Sequence, residues 1–293
     1  MSRARRASLG KCTIAFPGLF PFVKRPTFSE TWPQSWKSSY AYDLEEVFGP
    51  FRHLGYSYAY EKRQHETIRL LTEVLPKGAR VLDVAAAQGN FSLLLAEMGY
   101  DVTWNDRRAE LADYVRLKHE RGTIRYEPGD AFTLNPPQLF DAALITEIIE
   151  HTAHPDQFLI RIATLVRPGG YVIMTTPNGA YFRNRLPKFS ECSDPTVFET
   201  NQFQPDSDGH IFLLHPEEVA PLAASAGLEL DHFALMTNPL TSGHMKTRHL
   251  LRVVPGEMVK KIESFSSQLP PAWTRRIFTQ IVTRFHKPVA PEN

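Results

Sequence analysis

Apolar and polar residues alternate along this chain with two different periods, and the switches between them mark its elements. Short apolar runs bounded by turn residues predict strands at 80 to 84, 101 to 105, 123 to 127, 140 to 146, 170 to 176 and 228 to 236. Between them apolar positions recur every three or four residues. This predicts helices at 62 to 75, 90 to 98, 108 to 120, 155 to 166 and 215 to 226. Strands and helices alternating at this spacing make an α/β, doubly wound, mainly parallel sheet covered on both faces. Ligands of such a sheet sit beyond the carboxyl ends of its strands.

That rule gathers polar residues lying far apart in sequence. Asp83, Asp106, Asp130, Glu147 and Thr176 to Asn178 all fall at or just after strand ends and should ring one cleft. Residues 80 to 106 read as half of a nucleotide-binding unit: the apolar pair Val81 and Leu82, a small-residue turn from Ala85 to Gly89, a helix, and a strand closed by Asp106. Small side chains let backbone amides approach a ligand. Asp106 stands where an acid accepts both hydroxyls of a ribose, its bland alternative being an N-cap for the helix beginning near Arg108. Asp130, directly after Gly129, reads by itself as a turn acid. A pyrophosphate site needs several glycines, whereas only Gly89 survives here and Asp83 adds a negative charge. The turn therefore suits a nucleoside with a cationic or amino-acid tail, with Gln88 and Asn90 towards that end.

These ordered pieces resemble the class I S-adenosylmethionine-dependent methyltransferases, from about Gly78 to Leu230. Val-Leu-Asp-Val-Ala-Ala-Ala-Gln-Gly (81 to 89) matches the first motif, Asp106 the ribose acid, and Gly129-Asp130-Ala131 the adenine-side segment. Phe140-Asp141 to Glu147 matches the fourth strand, and Leu165 to Gly170 the turn before the fifth. The resemblance implies a Rossmann-like, seven-stranded sheet with S-adenosyl-L-methionine as cofactor. The cofactor-binding residues are then Asp83, Ala85, Ala87, Gln88, Gly89, Asp106, Asp130, Ala131 and Glu147. The departure is Ala85 and Ala87 where glycine is usual, since alanine resists the left-handed backbone that glycine permits.

A second constellation, Glu147-Ile-Ile-Glu150-His151, follows the 140 to 146 strand. In a helical turn Glu147, Glu150 and His151 lie at i, i+3 and i+4 and share a face. Two carboxylates and an imidazole there make either a divalent-metal site or an acid/base site; the bland reading has Glu150 and His151 facing solvent. His210 follows downstream, in Asp208-Gly209-His210. The pattern resembles the ubiquinone-pathway O-methyltransferases and the small-RNA 3′-end 2′-O-methyltransferases. That resemblance implies Glu147, Glu150, His151 and His210 as ligands of a magnesium or manganese ion that orients a hydroxyl. Carboxylates with imidazole suit Mg²⁺ or Mn²⁺ better than zinc. Without a metal, His151 or His210 is the general base, with Glu150 beside it.

Composition narrows the partners. With 293 residues, 42% hydrophobic and 22% charged, the chain can bury a full core. A net charge of +1 gives no global electrostatic case for nucleic acid. Cys12 and Cys192 form no disulfide framework, and no apolar run reaches the roughly 20 residues that span a bilayer, so a cytoplasmic enzyme is expected. Four regions follow: a mobile basic arm (1 to 37), an aromatic, helical cap (38 to 76), a catalytic domain (77 to 238) with a substrate lid (179 to 209), and a basic, helical C-terminal extension (239 to 293). The extension has two readings, a peripheral membrane contact or packing on its own domain or a twin subunit in a homodimer.

Three functions remain. The first is O-methylation of a phenol or sugar hydroxyl on a small-molecule acceptor. The second is RNA 2′-O-methylation, and the third a non-catalytic binding module that keeps only the fold.

Overall fold

The apolar runs pair as expected. β1 (Arg80–Val84), β2 (Asp101–Asn105), β3 (Thr123–Tyr126), β4 (Phe140–Thr146) and β5 (Val166–Pro177) run parallel, and β1 and β4 are buried almost throughout, as strands covered on both faces must be. The computed structural model describes residues 23–202, 209–242 and 247–289. Most of the basic arm, including Cys12, lies outside the described residues.

β6 (Glu229–Met236) and β7 (Gln280–His286) complete a seven-stranded sheet of order β3-β2-β1-β4-β5-β7-β6, in which β7 is antiparallel to both neighbours. On one face the core packs Leu82, Ile145 and Met174 against α5 (Pro155–Leu165) and α6 (Pro216–Ser225). On the other, Val81, Val102 and Leu144 pack against α2 (Leu54–Thr72) and α3 (Asn90–Glu97). The strand order reverses between β1 and β4, so the crevice opens beyond their carboxyl ends.

Several boundaries differ from expectation. The cap begins earlier: α1 (Gln34–Glu46) starts inside the segment read as a mobile arm, and α2 starts at Leu54 rather than 62. Contacts with α4 hold residues 23–37 on the domain. Trp32 and Trp36 make ring contacts with Tyr114 of α4 (Leu111–Lys118), the Trp36 indole donates to the Glu110 carbonyl, and the Lys24 amide donates to the Lys118 carbonyl.

The extension is the larger correction. It holds three short helices, α7 (Arg248–Leu251), α8 (Gly256–Ser266) and α9 (Pro271–Ile277), but then returns as β7 between β5 and β6. The sheet is incomplete without it, so the domain does not end at 238. Several of its cations are used inside the fold. Arg284 pairs with Glu73 and Asp231, Arg275 with Glu217, and Lys287 donates to the Ala163 and Val166 carbonyls at the end of α5.

Candidate functional site

The turn after β1 takes the conformation its glycine-poor sequence seemed to resist. Ala85 and Ala87 adopt φ of 53° and 47°, in the left-handed region, and Gly89 has φ 72° as it enters α3. Gly89 cannot be replaced as Ala85 and Ala87 are. A Cβ there would meet the Val115 methyls at 2.7 and 2.8 Å. The two alanines store strain of order 1 kcal/mol each, and the turn is held by Ala86 donating to the Asn105 carbonyl (2.9 Å) and Gly89 to the Ala86 carbonyl (2.7 Å).

The acids stand where strand topology puts them. Asp83 is 1% exposed; one carboxylate oxygen accepts from Ser92 Oγ at 2.6 Å and the other has no partner. Burial pushes its pKa up to about 7, against the Ser92 hydrogen bonds and with help from the Asp106 charge. Asp106 accepts from the Ala87 amide (2.9 Å) and from Arg108. It does not cap a helix at 108, because α4 begins at Leu111. Asp130 accepts from the Phe132 amide (2.9 Å), closing the short turn through Ala131, and pairs with Arg107 at 3.2 Å. Ala131 is a buried core residue.

Gln88 and Asn90 are engaged by the cap. Gln88 Nε2 donates to Glu46 Oε2 (2.8 Å), as does Asn90 Nδ2 (2.8 Å), which also reaches Asp43 Oδ1 (2.9 Å). Lys118 Nζ, fully buried, donates to Asp43 Oδ2 (2.7 Å) and Asn90 Oδ1 (2.9 Å), and Tyr114 Oη donates to Asp43 Oδ2 (2.6 Å). Burial lowers the Lys118 pKa against the opposing pull of Asp43, and raises that of Glu46. This network fixes α1 over the turn. The sequence reading passes over Asp43, Glu46 and Lys118; the signal available is the three acids, Asp43, Glu45 and Glu46, that close a helix carrying Trp36, Tyr40 and Tyr42.

After β4 the chain departs from the expected helix. Glu147 sits at φ 53°, and only Ile149–His151 make a helical turn, of the tighter 3-10 kind. Glu147, Glu150 and His151 therefore do not share one helical face. Glu147 Oε2 instead pairs with Arg63 of α2 at 3.2 Å and accepts from Gln280 of β7 at 3.3 Å. Burial lowers the Arg63 pKa, but the charges of Glu147, Tyr56 and Glu46 outweigh it and raise it overall.

Glu150, His151 and His210 do converge. The Ile211 amide donates to the Glu150 carbonyl (2.7 Å), drawing His210 in until its ring centroid is 4.8 Å from that of His151. One ligand atom from each of the three lies within 4.8 Å of the others. Glu150 is 1% exposed, with one oxygen accepting from Thr176 Oγ1 at 3.0 Å and the other without a partner. Burial, then the charge of Glu147, holds its pKa well above the usual carboxylate range. The described part of the segment read as a lid (179–202) packs here, with Phe189 and Phe198 against Phe212.

The crevice thus holds buried, unpartnered polar atoms at its floor, Asp83 Oδ1, Glu147 Oε1 and Arg63 Nε. They suit a ligand carrying both a cation and a carboxylate, and the left-handed turn beside Asp106 suits its nucleoside.

Comparison with known proteins agrees with this geometry. A family described as a methyltransferase domain matches residues 57–232. The chain is 31% identical over 169 residues to a ubiquinone biosynthesis O-methyltransferase of Paraburkholderia phymatum, covering 56% of this chain and 71% of that protein. It is 27% identical over 186 residues to the enzyme of the same name from Bordetella avium, covering 60% of this chain and 75% of that one. Magnesium protoporphyrin IX methyltransferase from Synechocystis, solved with bound SAH, shares the fold with a TM-score of 0.53 at 10% identity, over 87% of this chain and 95% of that chain.

Proposed function

The chain belongs to the class I S-adenosylmethionine-dependent methyltransferases, and from that membership we propose that it methylates a hydroxyl of a small-molecule acceptor. The observation that carries the hydroxyl is the convergence of Glu150, His151 and His210 just beyond the carboxyl end of β4. The relatives named O-methyltransferases support the same reading.

S-adenosylmethionine supplies an electrophilic methyl group on a sulfonium, and the residues of this chain bind and align around it. Asp106 receives the ribose and the Asp130–Ala131 turn the adenine side. Asp83, together with Arg63, faces the amino-acid end, a carboxylate and a guanidinium for a zwitterion. The buried Asp43–Lys118–Asn90 network holds the turn still, and alignment for in-line displacement is the main task of such an enzyme.

The acceptor hydroxyl must lose its proton near the methyl. An Mg²⁺ or Mn²⁺ ion held by Glu150, His151 and His210 would lower the pKa of a bound hydroxyl. The raised pKa of Glu150 fits this donor set, since a cation would supply the charge that burial and Glu147 withhold. Without a metal, His151 or His210 takes the proton and Glu150 orients it.

The test is calorimetric titration of Mn²⁺ into the protein saturated with S-adenosylhomocysteine, with a Glu150→Ala, His210→Ala variant as control. A one-to-one heat lost in the variant supports the metal-assisted hydroxyl reading. Absence of heat despite tight cofactor binding leaves histidine base catalysis and opens nitrogen and carbon acceptors.

A further inference from the structure

The C-terminal extension is fixed on its inner side and apolar on its outer side. Leu251 and Val259 pack on Leu54 and Tyr58 of α2, Asn238 Nδ2 donates to Ser266 Oγ at 3.1 Å, and Glu263 turns inward to the Asn238 amide at 3.1 Å. With that face used, large apolar side chains still stand in solvent: Leu250 at 58% exposure, Val253 at 77%, Met258 at 53%, Phe265 at 71% and Trp273 at 64%. On α8, Met258, Lys261 and Phe265 lie at i, i+3 and i+7 and form a second face beside the buried one of Val259 and Ser266.

Charge is concentrated in the same stretch. Residues 247 to 276 carry six Lys and Arg against two acids, a net charge of +4 in a chain whose total is +1. One of the acids is the inward Glu263. Lys260 lies 3.8 Å from Glu61, and Arg275 pairs with Glu217. Arg252, Lys261 and Arg276 are exposed with no carboxylate partner among the described residues.

Single exposed apolar residues need no explanation, but here they stand among three exposed cations, Arg252, Lys261 and Arg276, that no carboxylate of the described residues pairs. A protein interface of this apolarity would be depleted of Lys at its centre. A nucleic acid would satisfy the cations and leave Val253, Met258 and Phe265 without a role. An anionic bilayer takes both, apolar tips and tryptophan at the headgroup boundary and cations against the phosphates.

We propose that residues 248 to 276 form a docking surface for an anionic lipid bilayer. The contact is peripheral, because no helix among the described residues is long and apolar enough to cross a membrane. β6 enters this extension at the same edge of the sheet as the carboxyl ends of β1 and β4, so docking sets the crevice beside the lipid surface.

The experiment is co-sedimentation of the full chain with vesicles of phosphatidylcholine alone and of phosphatidylcholine mixed with phosphatidylglycerol. Binding is expected to the mixed vesicles only, to weaken with salt, and to fall about fivefold for each cation removed in Arg252→Gln and Lys261→Gln. A Val253→Ser, Phe265→Ser, Trp273→Ser variant should lose binding while keeping its circular dichroism and S-adenosylhomocysteine affinity. Equal binding to both vesicles, no binding to either, or a wild-type dimer that the triple variant converts to monomer would each overturn the proposal, the last by assigning the surface to a second copy of the chain.

Discussion

The Arg108 guanidinium lies along the Asp106 carboxylate, with Nε 3.0 Å from Oδ1 and Nη2 3.0 Å from Oδ2. The Arg108 amide adds a bond to Oδ1 and the Ala87 amide one to Oδ2, each at 2.9 Å, so four donors fill the four lone-pair sites of the carboxylate. On the proposed ribose role of Asp106, the hydroxyls would have to displace the guanidinium to reach the carboxylate. The Arg108 side chain is 54% exposed, which keeps that displacement modest. Arg108→Ala is therefore expected to tighten S-adenosylhomocysteine binding by about three- to tenfold, measured by calorimetry. Weaker binding would mean instead that Arg108 holds the carboxylate in its binding pose.

The turn makes opposite predictions at two neighbouring positions. Gly89→Ala places a Cβ at 2.7 Å from Val115 in a left-handed backbone, and should destabilise by about 2 to 4 kcal/mol and abolish cofactor binding. Ala87→Gly relieves strain at φ 47° but loosens the unfolded chain, so its net effect should lie between zero and about 1 kcal/mol of stabilisation. Urea unfolding of the two variants measures both. Equal destabilisation by both would contradict the left-handed geometry assigned to Ala87.

The sequence made the strand ends legible because each acid sits beside its own apolar run. Asp83, Asp106 and Asp130 are placed by local pattern plus strand topology, and they fall at or after the ends of β1, β2 and β3. Glu147 is not, since i, i+3, i+4 spacing implies a shared face only if the backbone is helical, and φ 53° at Glu147 breaks the turn at its first residue. Asp43 and Lys118 were hidden for another reason. They are 75 positions apart, and neither has a neighbour in sequence that predicts the other. β7 was missed because the preceding residues carry helical spacing, while its position between β5 and β6 depends on long-range pairing.

Lys118 and Asp43 are both fully buried, so breaking the pair leaves an uncompensated charge in the core. Lys118→Met should cost about 3 to 5 kcal/mol, whereas Lys118→Met combined with Asp43→Leu should recover much of it. The double variant should still bind the cofactor poorly, because Asn90 loses two of the partners that fix it in the turn. Thermal unfolding gives the first comparison and calorimetry the second. A double variant that binds as well as wild type would remove any positioning role for the pair.

If Asp83 faces the amino-acid end of the cofactor, as proposed, it would tie cofactor binding to pH. Its pKa, about 7 in the folded protein against an ordinary 3.8, leaves the carboxyl largely neutral in mildly acid solution. The raised value means that this group's contribution to stability is fully present below about pH 4 and is lost as the pH rises through 7. S-adenosylmethionine binding should run the other way. Its cationic amino-acid end favours the ionised carboxylate, so binding below pH 7 must expel a proton, and affinity should rise by up to about tenfold per pH unit before levelling off above 7. Asp83→Asn removes both slopes, giving a protein whose stability falls less between about pH 5 and 8 and whose weaker cofactor affinity no longer changes with pH. Cofactor titrations in buffers of different ionisation heat count the proton directly. A wild-type affinity that is flat across this range, with no proton released at about pH 6, would rule out a neutral Asp83 in the ligand-free site.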